Sequence, residues 1–401
     1  MRVFLNDHSG HPFTIQLGRA LAHVGYEVMY SYPINFQSPK GNLSPGSKAV
    51  ANLRIRGIRY KSDFNKYSLF KRRRQEHEYA REIISLINDF HPDIFLCCNT
   101  PLFALDRIRA HCNVIGVKFI LWCQDLYGIA MQNILQRKLS FLGSFIGKMF
   151  IQIERHNLKA SDHVIVITED FLPVLTRWGI ESHKVSVIEN WGPIDEIQML
   201  PKENYWALQK ELHNKTCIVY SGTLGLKHDP RVLMDIALHY RDRAEISTVI
   251  VSEGIGANYL LQKIREHKLQ NAMVLPFQAF SDLSAVLSTA DVLVALLEKD
   301  SAVYSVPSKV LTYICSNKPV VVSAPSDNLI CRILKESNAG YCVEPGNSQK
   351  VIDKIDSLLH DRELRMRLGN NGRSYAEKRF RIGVITEKFS YLFKQVRGGN
   401  R

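Results

Sequence analysis

Two glycine-containing loops, each followed by a helix, are the first features of this sequence that could bind a phosphate. In VYSGTLGLKHDP, residues 219–230, an apolar run stops at Gly222 and Gly225, and Lys227 follows before a helix begins. Glycine lets the backbone approach a ligand closely, and a helix start offers unpaired N–H groups that favour an anion. Gly10 lies in a similar loop near the N-terminus. Each loop alone is equally compatible with an ordinary turn, but the pair predicts a phosphorylated ligand between two domains.

A third candidate for a phosphate contact is the dipeptide Ser308-Lys309, which follows a proline where a helix is predicted to begin. A hydroxyl and an ammonium group at a helix start fit a phosphate. The sequence has no G-x-x-x-x-G-K-[ST] motif, and the nearest match to the dinucleotide motif, GIGANY at 254–259, ends in tyrosine instead of glycine. The ligand is therefore not expected to bind in either of those two modes.

Two polar side chains at predicted strand ends are candidates for catalysis. Asp125 follows an apolar run and could orient an acceptor or assist its deprotonation, although an aspartate that caps a helix or turn is the alternative. His11, beside Gly10, is an equal candidate for a sugar or phosphate contact. No pair of carboxylates suited to double displacement is evident. With no D-x-D triplet and no His/Cys cluster at ligand spacing, neither a metal nor another cofactor is expected.

The elements that must position these residues alternate regularly along the 401-residue chain. Short apolar runs, six in each half, are separated by amphipathic helical stretches. Such alternation predicts parallel sheets with helices on both faces, and the length predicts two domains. The expected fold is α/β with two Rossmann-like domains, residues 1–192 and 193–378. A terminal helix in residues 379–401 is expected to return to the first domain.

The net charge of +13 is concentrated in one region. Residues 40–81 contain 12 Lys/Arg and three acids, and this region includes Lys71, Arg72, Arg73 and Arg74. The region is either a solvated face or a site for an anionic partner such as a membrane surface. Nucleic acid is not expected, because neither a zinc-finger nor an RNP-type signature is present.

Membrane contact, if any, is expected to be peripheral. No signal peptide and no apolar stretch long enough to span a bilayer is evident. The apolar segment 139–153 could lie in the membrane interface or could be a buried helix. The eight cysteines include no CxxC pair, which suits a reducing cytosol and argues against a disulfide framework.

Five segments together resemble the bacterial glycosyltransferases of the GT-B fold, retaining family 4, and in particular those that build O-antigen, capsule or colanic-acid-type polysaccharides. The resemblance covers essentially the whole chain. The matching segments are SGHPFTIQLGRALAHVGYEV, ASDHVIVITEDF, VSVIENWGPIDE, YSGTLGLKHD and VPSKVLTYICSNKPVV.

The resemblance implies a nucleotide-sugar donor, with UDP favoured, bound by the second domain. It implies transfer of an N-acetylated or deoxy hexose, with retention, to a polyprenyl-diphosphate-linked saccharide bound by the first domain. The enzyme would be cytoplasmic and peripheral on the inner face of the bacterial membrane, and would need no metal. The expected donor-binding residues are Gly10, Gly222, Thr223, Gly225, Lys227, Glu253, Glu298, Ser308 and Lys309.

One departure from the family concerns the nucleotide. Many members have two glutamates eight residues apart before the GKPVV strand, where this chain has Tyr304 and Thr312. Glu298 lies upstream and is the candidate substitute for the carboxylate that binds the ribose. Two alternatives remain open, namely a GT-B nucleotide-sugar 2-epimerase and a non-enzymatic protein that binds anions.

Overall fold

The computed structural model describes residues 1–36, 38, 40–43, 51–61, 69–225, 228–301 and 305–398. The chain forms two compact units, one made of residues 1–189 and 382–401 and the other of residues 190–381. The sequence places the corresponding boundaries at residues 192 and 378. None of the helices in the described ranges combines the length and hydropathy needed to cross a bilayer.

The first unit contains a seven-stranded parallel sheet in the order β3-β2-β1-β4-β5-β6-β7. Its strands are mostly short and apolar on both faces, because helices cover the sheet on both sides. The elements are β1 (Arg2–Asp7), α1 (Pro12–His23), β2 (Glu27–Pro33), β3 (Leu53–Ile58), α2 (Leu69–Phe90), β4 (Ile94–Cys98), α3 (Leu102–Ile115), β5 (Lys118–Cys123), α4 (Tyr127–Ala160), β6 (His163–Val166), α5 (Leu172–Arg177) and β7 (Val185–Val187).

The strand β3 was not among the six predicted for this half of the chain. It pairs with β2 at the edge of the sheet, and its side chains alternate between partly covered and exposed. Its sequence LRIRGI contains two arginines and lies within the basic region of residues 40–81. For this reason it is not recognised as one of the apolar runs that predict strands.

The second unit contains a six-stranded parallel sheet in the order β10-β9-β8-β11-β12-β13. Both sheets thus have the strand order of a doubly wound nucleotide-binding fold, and the predicted fold class is confirmed. The elements are α6 (Tyr205–Gln209), β8 (Thr216–Ser221), α7 (Arg231–His239), β9 (Ile246–Val251), α8 (Ile255–Glu266), β10 (Ala272–Leu275), α9 (Leu283–Thr289), β11 (Val292–Leu296), α10 (Lys309–Ile314), β12 (Val320–Ser323), α11 (Leu329–Ser337), β13 (Gly340–Val343), α12 (Ser348–His360) and α13 (Arg362–Arg379).

The terminal helix α14 (Ile382–Gly398) belongs to the first unit, where it packs against α1. Its apolar face is buried, and the ring of Phe389 lies 4.9 Å from that of Trp122 on β5. Phe393 likewise contacts Tyr26, which precedes β2. The chain thus completes its first unit with its last helix.

The helix α4 folds back on itself. The carboxylate of Glu154 accepts hydrogen bonds from the N–H groups of Tyr127 and Gly128, at 2.7 and 2.8 Å, although 27 residues would span about 40 Å in a straight helix. A Cβ atom added to Gly147 would lie 2.6 Å from the Cα of Gln132. Two antiparallel arms, residues 127–136 and 141–160, therefore form a helical hairpin with glycines at their contact.

One cysteine pair departs from the sequence expectation. Cys331 on α11 and Cys342 on β13 form a disulfide, because α11 packs against β13 and brings their Cα atoms to 5.6 Å. Their spacing of 11 residues is not a recognisable motif. The other six cysteines are free and buried, and burial raises the pKa of each of these thiols.

Candidate functional site

The second unit has its candidate site where the strand order reverses, between β8 and β11. Crossovers from these two neighbouring strands leave in opposite directions, so a crevice forms at their carboxyl ends. The loop after β8, residues 222–225 and here called the Gly222 loop, lies at this point. Gly222 has a φ of 146°, a backbone conformation that L-residues with a side chain rarely adopt.

Lys309, the first residue of α10, lies directly over the Gly222 loop. A Cβ atom added to Gly222 would be only 2.9 Å from the Cε of Lys309. The ammonium group donates hydrogen bonds to the hydroxyl of Tyr220 and, at 3.2 Å, to the carbonyl of Thr223, and it lies 4.3 Å from the centre of the Tyr220 ring. Burial raises the pKa of Tyr220. The contacts with Tyr220 and Thr223 orient the ammonium group at the loop.

Two tyrosines hold the loop in place from beneath. The hydroxyl of Tyr313 on α10 donates to the carbonyl of Ser221 at 2.7 Å and accepts from its N–H at 2.8 Å. The hydroxyl of Tyr220 donates to the carbonyl of Thr223 at 2.8 Å. Because both tyrosines are almost fully buried, the loop is fixed by hydrogen bonds that water does not compete for.

The other end of the Gly222 loop packs on the GIG segment that begins α8. Gly256 donates its N–H to the carbonyl of Leu224 at 3.1 Å, and a Cβ atom there would lie 2.8 Å from the Cβ of Leu224. Gly225 donates its N–H to the buried imidazole of His228 at 3.1 Å. Gly256 thus allows this loop to pack closely on the start of α8.

The two glutamates predicted to bind the donor follow other strands of the sheet than the Gly222 loop does. Glu253, after β9, accepts a hydrogen bond from the N–H of Phe277 at 3.2 Å. Glu298, after β11, is half-buried and lies near Arg231, whose pKa is raised first by its hydrogen bond to Asp229 and further by Glu298.

Ser308 immediately precedes α10, and its side chain does not cap the helix. Its backbone carbonyl accepts from the N–H of Leu311 at 3.1 Å. Lys227 lies outside the described residues. The structure therefore brings together Gly222, Thr223 and Lys309, with Ser308 adjoining Lys309 in the chain.

In the first unit, Asp7 organises the loop that contains Gly10. The Asp7 carboxylate accepts hydrogen bonds from the N–H groups of Ser9 and His11, at 2.9 and 2.8 Å. It also accepts from the hydroxyl of Thr14 at 2.7 Å and from the amide of Asn99 at 3.0 Å. This buried carboxylate fixes a tight turn and ties the ends of β1 and β4 together.

The two candidate catalytic residues lie on loops at the same edge of this sheet. His11 precedes α1, does not cap it, and stacks on the ring of Phe13 with the ring centres 5.4 Å apart. Asp125 follows β5 and is half-buried. Burial raises the pKa of the nearby Glu154 to about 8, with a further contribution from Asp125, against the opposing effect of the N–H groups of Gly128 and Tyr127. Strand β4 lies between β1 and β5, and the three carboxyl ends form one polar edge.

The four consecutive basic residues of α2 do not form one surface, which corrects the prediction for Arg72. The Arg72 guanidinium forms an ion pair with Glu76 at 2.6 Å and lies over the ring of Tyr127. Its side chain is only 11% exposed, and that of Glu76 is buried. Lys71, Arg73 and Arg74 are exposed. A helix of 3.6 residues per turn cannot point four successive side chains outward, and position 72 faces the neighbouring helices.

Several site residues were missed by the sequence interpretation. Asp7, Tyr220 and Tyr313 act through the backbone of the loops, and the two tyrosines lie in largely apolar segments that indicate only a core role. The signal for Asp7 was the aspartate at a strand end followed by serine and glycine, which is typical of a side-chain-stabilised turn. Within the described ranges, no group of three His, Cys, Asp or Glu side chains could hold a metal ion.

Comparison with known proteins agrees with this division into two units. Residues 13–195 match the family described as "Glycosyltransferase Family 4", and residues 203–375 match the family described as "Glycosyl transferases group 1". The two matches together cover most of the chain.

Two curated relatives and one solved structure are similar over most of their length. The colanic acid biosynthesis glycosyl transferase WcaI of Escherichia coli K12 is 24% identical over 292 residues, 72% of this chain and 70% of that protein. The glycosyltransferase WbjE of Pseudomonas aeruginosa is 21% identical over 308 residues, which are 74% of this chain and 73% of that protein. The crystal structure of Anabaena Alr3699/HepE with UDP and glucose has a TM-score of 0.71 at 14% identity, covering 98% of this chain and all of that one.

Proposed function

Because this chain is a glycosyltransferase of the GT-B fold, with a family 4 domain followed by a group 1 domain, we propose that its second unit binds a UDP-sugar at the Gly222 loop. One observation carries the proposal: the Lys309 ammonium group lies over a glycine whose missing side chain leaves the backbone accessible. The Anabaena structure with UDP and glucose, which has the same fold, supports the choice of nucleotide.

The proposed chemistry is transfer of a hexosyl group with retention. The bond from the anomeric carbon to the diphosphate breaks, the diphosphate keeps the electron pair, and an acceptor hydroxyl oxygen bonds to that carbon on the same face. Lys309 and Ser308 stabilise the charge that grows on the diphosphate, and Gly222 leaves room for it at the loop backbone. Lys227 is proposed to add to this stabilisation. The proton leaves the acceptor hydroxyl for the departing phosphate oxygen or for Asp125.

The proposed acceptor is a saccharide on a polyprenyl diphosphate, in surface polysaccharide synthesis at the cytoplasmic face of the membrane. The assignment to polysaccharide synthesis is supported by the relative named for colanic acid biosynthesis. The first unit offers His11 and Asp125 at the polar edge of its sheet for contact with the acceptor. Glu298 is proposed to replace the ribose-binding carboxylate of other family members.

The test compares binding of UDP and uridine, because only UDP has a diphosphate for Lys309 to contact. Lys309→Met is expected to weaken UDP binding by about 10- to 100-fold, since a hydrogen bond to a charged group contributes about 1.5–3 kcal/mol. Uridine binding should change little. The matched control is Lys354→Met, which removes another lysine that lies over a tyrosine ring, at Tyr341, outside the site. Equal losses for UDP and uridine would refute the diphosphate contact.

The reaction itself is tested with labelled nucleotide sugars, with and without a lipid-linked saccharide. Label that moves to the acceptor supports transfer, whereas conversion of the donor without acceptor would indicate an epimerase, and an unchanged donor would indicate a binding protein. We expect transfer to continue in excess EDTA, because side chains and N–H groups neutralise the diphosphate. Loss of transfer that magnesium or manganese restores would overturn metal independence.

A further inference from the structure

The second arm of the α4 hairpin exposes a stripe of large apolar side chains, Phe141, Leu142, Phe145 and Met149. Phe141 is 90% exposed and Phe145 is 72% exposed. At about 100° per residue these four positions fall within roughly 100° of the helix circumference, so they form one continuous face. We call these four residues the outer stripe.

The side of the same arm that adjoins the stripe is already buried. Phe150 packs with Leu102 and Leu135, and Ile146 and Ile153 pack against this cluster. The arm is therefore apolar on two faces, of which the protein covers only one. An apolar helix face that its own protein leaves uncovered marks a site of contact with another protein or with lipid.

The charges around the stripe favour an anionic surface as its partner. Residues 126–153 contain three Lys/Arg and no acid. At the base of the hairpin, Arg73 lies 5.2 Å from the ring centre of Phe103, which itself packs on Phe150. Lys71 and Arg74 are exposed on the same turn of α2. Arg73 thus adjoins the arm that carries the outer stripe, and Lys71 and Arg74 lie on the same helix as Arg73.

We infer that the outer stripe binds the interface of an anionic lipid bilayer, with the arm lying along the membrane plane. From residue 141 to residue 149 the stripe runs about 12 Å along the helix axis, so it lies along the arm instead of only at its tip. An amphipathic helix of this kind buries its apolar face in the headgroup region, and nearby basic residues add attraction to anionic lipid. Only the use of this contact, to reach a lipid-linked acceptor, rests on the proposed function.

The first experiment is co-sedimentation of the full chain with vesicles of phosphatidylglycerol and phosphatidylethanolamine, without donor or acceptor. The double variant Phe141→Ser/Phe145→Ser should bind at least tenfold more weakly. The matched control is Val114→Ser/Ile115→Ser, which removes two exposed apolar side chains from the end of α3, and it should bind as the wild type does. Unchanged binding of the Phe141/Phe145 variant would refute the inference.

Electrostatic attraction is tested separately with Lys71, Arg73 and Arg74 changed to glutamine while the structural Arg72 is kept. This triple variant should lose about fivefold per basic residue at low salt and much less at high salt. Vesicles of phosphatidylcholine should bind the wild type weakly. Equal binding to anionic and neutral vesicles would overturn the choice of an anionic lipid surface.

Contact with the lipid is measured directly with Phe145→Trp and brominated lipid. Brominated lipid should quench the fluorescence of the Phe145→Trp variant beyond the background of the four native tryptophans. The fluorescence of a Val114→Trp variant should show no such additional quenching. If Phe141→Ser/Phe145→Ser instead converts a dimer to a monomer in solution without any change in vesicle binding, the stripe is covered by a second copy and the inference is wrong. UDP binding is measured for the same variants. Failure of the membrane inference can then be told apart from failure of the proposed function.

Discussion

Two ion pairs on α2 offer a matched test of burial. Arg72 pairs with Glu76 and Arg74 pairs with Glu78, both at a spacing of four residues on one helix. The Arg72 side chain is 11% exposed and that of Arg74 is 83% exposed. We predict that Arg72→Gln lowers the free energy of unfolding by about 3–5 kcal/mol, because it leaves a buried carboxylate without its cation. Arg74→Gln should cost only about 0.3–0.5 kcal/mol.

The pH dependence of this loss follows from Glu76. Burial already raises the pKa of Glu76, and the Arg72 guanidinium and the N–H groups of Phe103 and Ala104 oppose the rise. Without Arg72 the pKa should rise further, so the folded variant holds a proton that the unfolded chain releases. Its stability relative to the wild type should therefore fall as the pH rises above about 4.5.

The measurement is urea unfolding of the full chain at several pH values, followed by circular dichroism. Because the chain has two units, it can unfold in more than one transition. Each unfolding transition of a variant is therefore compared with the corresponding transition of the wild type. The double variant Arg72→Met/Glu76→Leu, which removes both charges, should recover most of the loss. If Arg72→Gln is no more destabilising than Arg74→Gln, the pair is not buried and the reasoning fails.

Two further predictions concern the loops. Gly222→Ala is expected to cost about 1–3 kcal/mol of stability, because alanine is strained at a φ of 146°. It should also raise the Kd for UDP at least tenfold, since the new Cβ displaces Lys309; calorimetry that shows unchanged UDP binding would contradict this. Glu154, with its pKa raised to about 8 mainly by burial, should make the wild type less stable as pH rises from about 4.5 to 8. Glu154→Gln should remove that part of the slope in thermal unfolding, and an unaltered slope would assign the pH dependence to other groups.

The fold class and the position of the Gly222 loop could both be predicted from the sequence. A strand that is buried on both faces of a parallel sheet needs an apolar side chain at nearly every position. Each such strand therefore appears in the sequence as a short apolar run. Ligand loops at the carboxyl ends of parallel strands follow from the same topology, and Gly10 and Gly222 lie at such ends. Both features are local in the chain, and local features can be read from a single sequence.

Which of several similar residues become buried, exposed or paired depends on the tertiary structure. Arg72 and Arg74 have the same partner type and spacing, yet only Arg72 faces the helices α3 and α4 and becomes buried. The hairpin of α4, which leaves Phe141 and Phe145 exposed, depends on contacts between residues more than 20 positions apart. Cys331 and Cys342 pair because a helix packs on a particular strand. In each case the outcome depends on which distant segment covers a side chain, and neither its residue type nor its neighbours in the chain specify that segment.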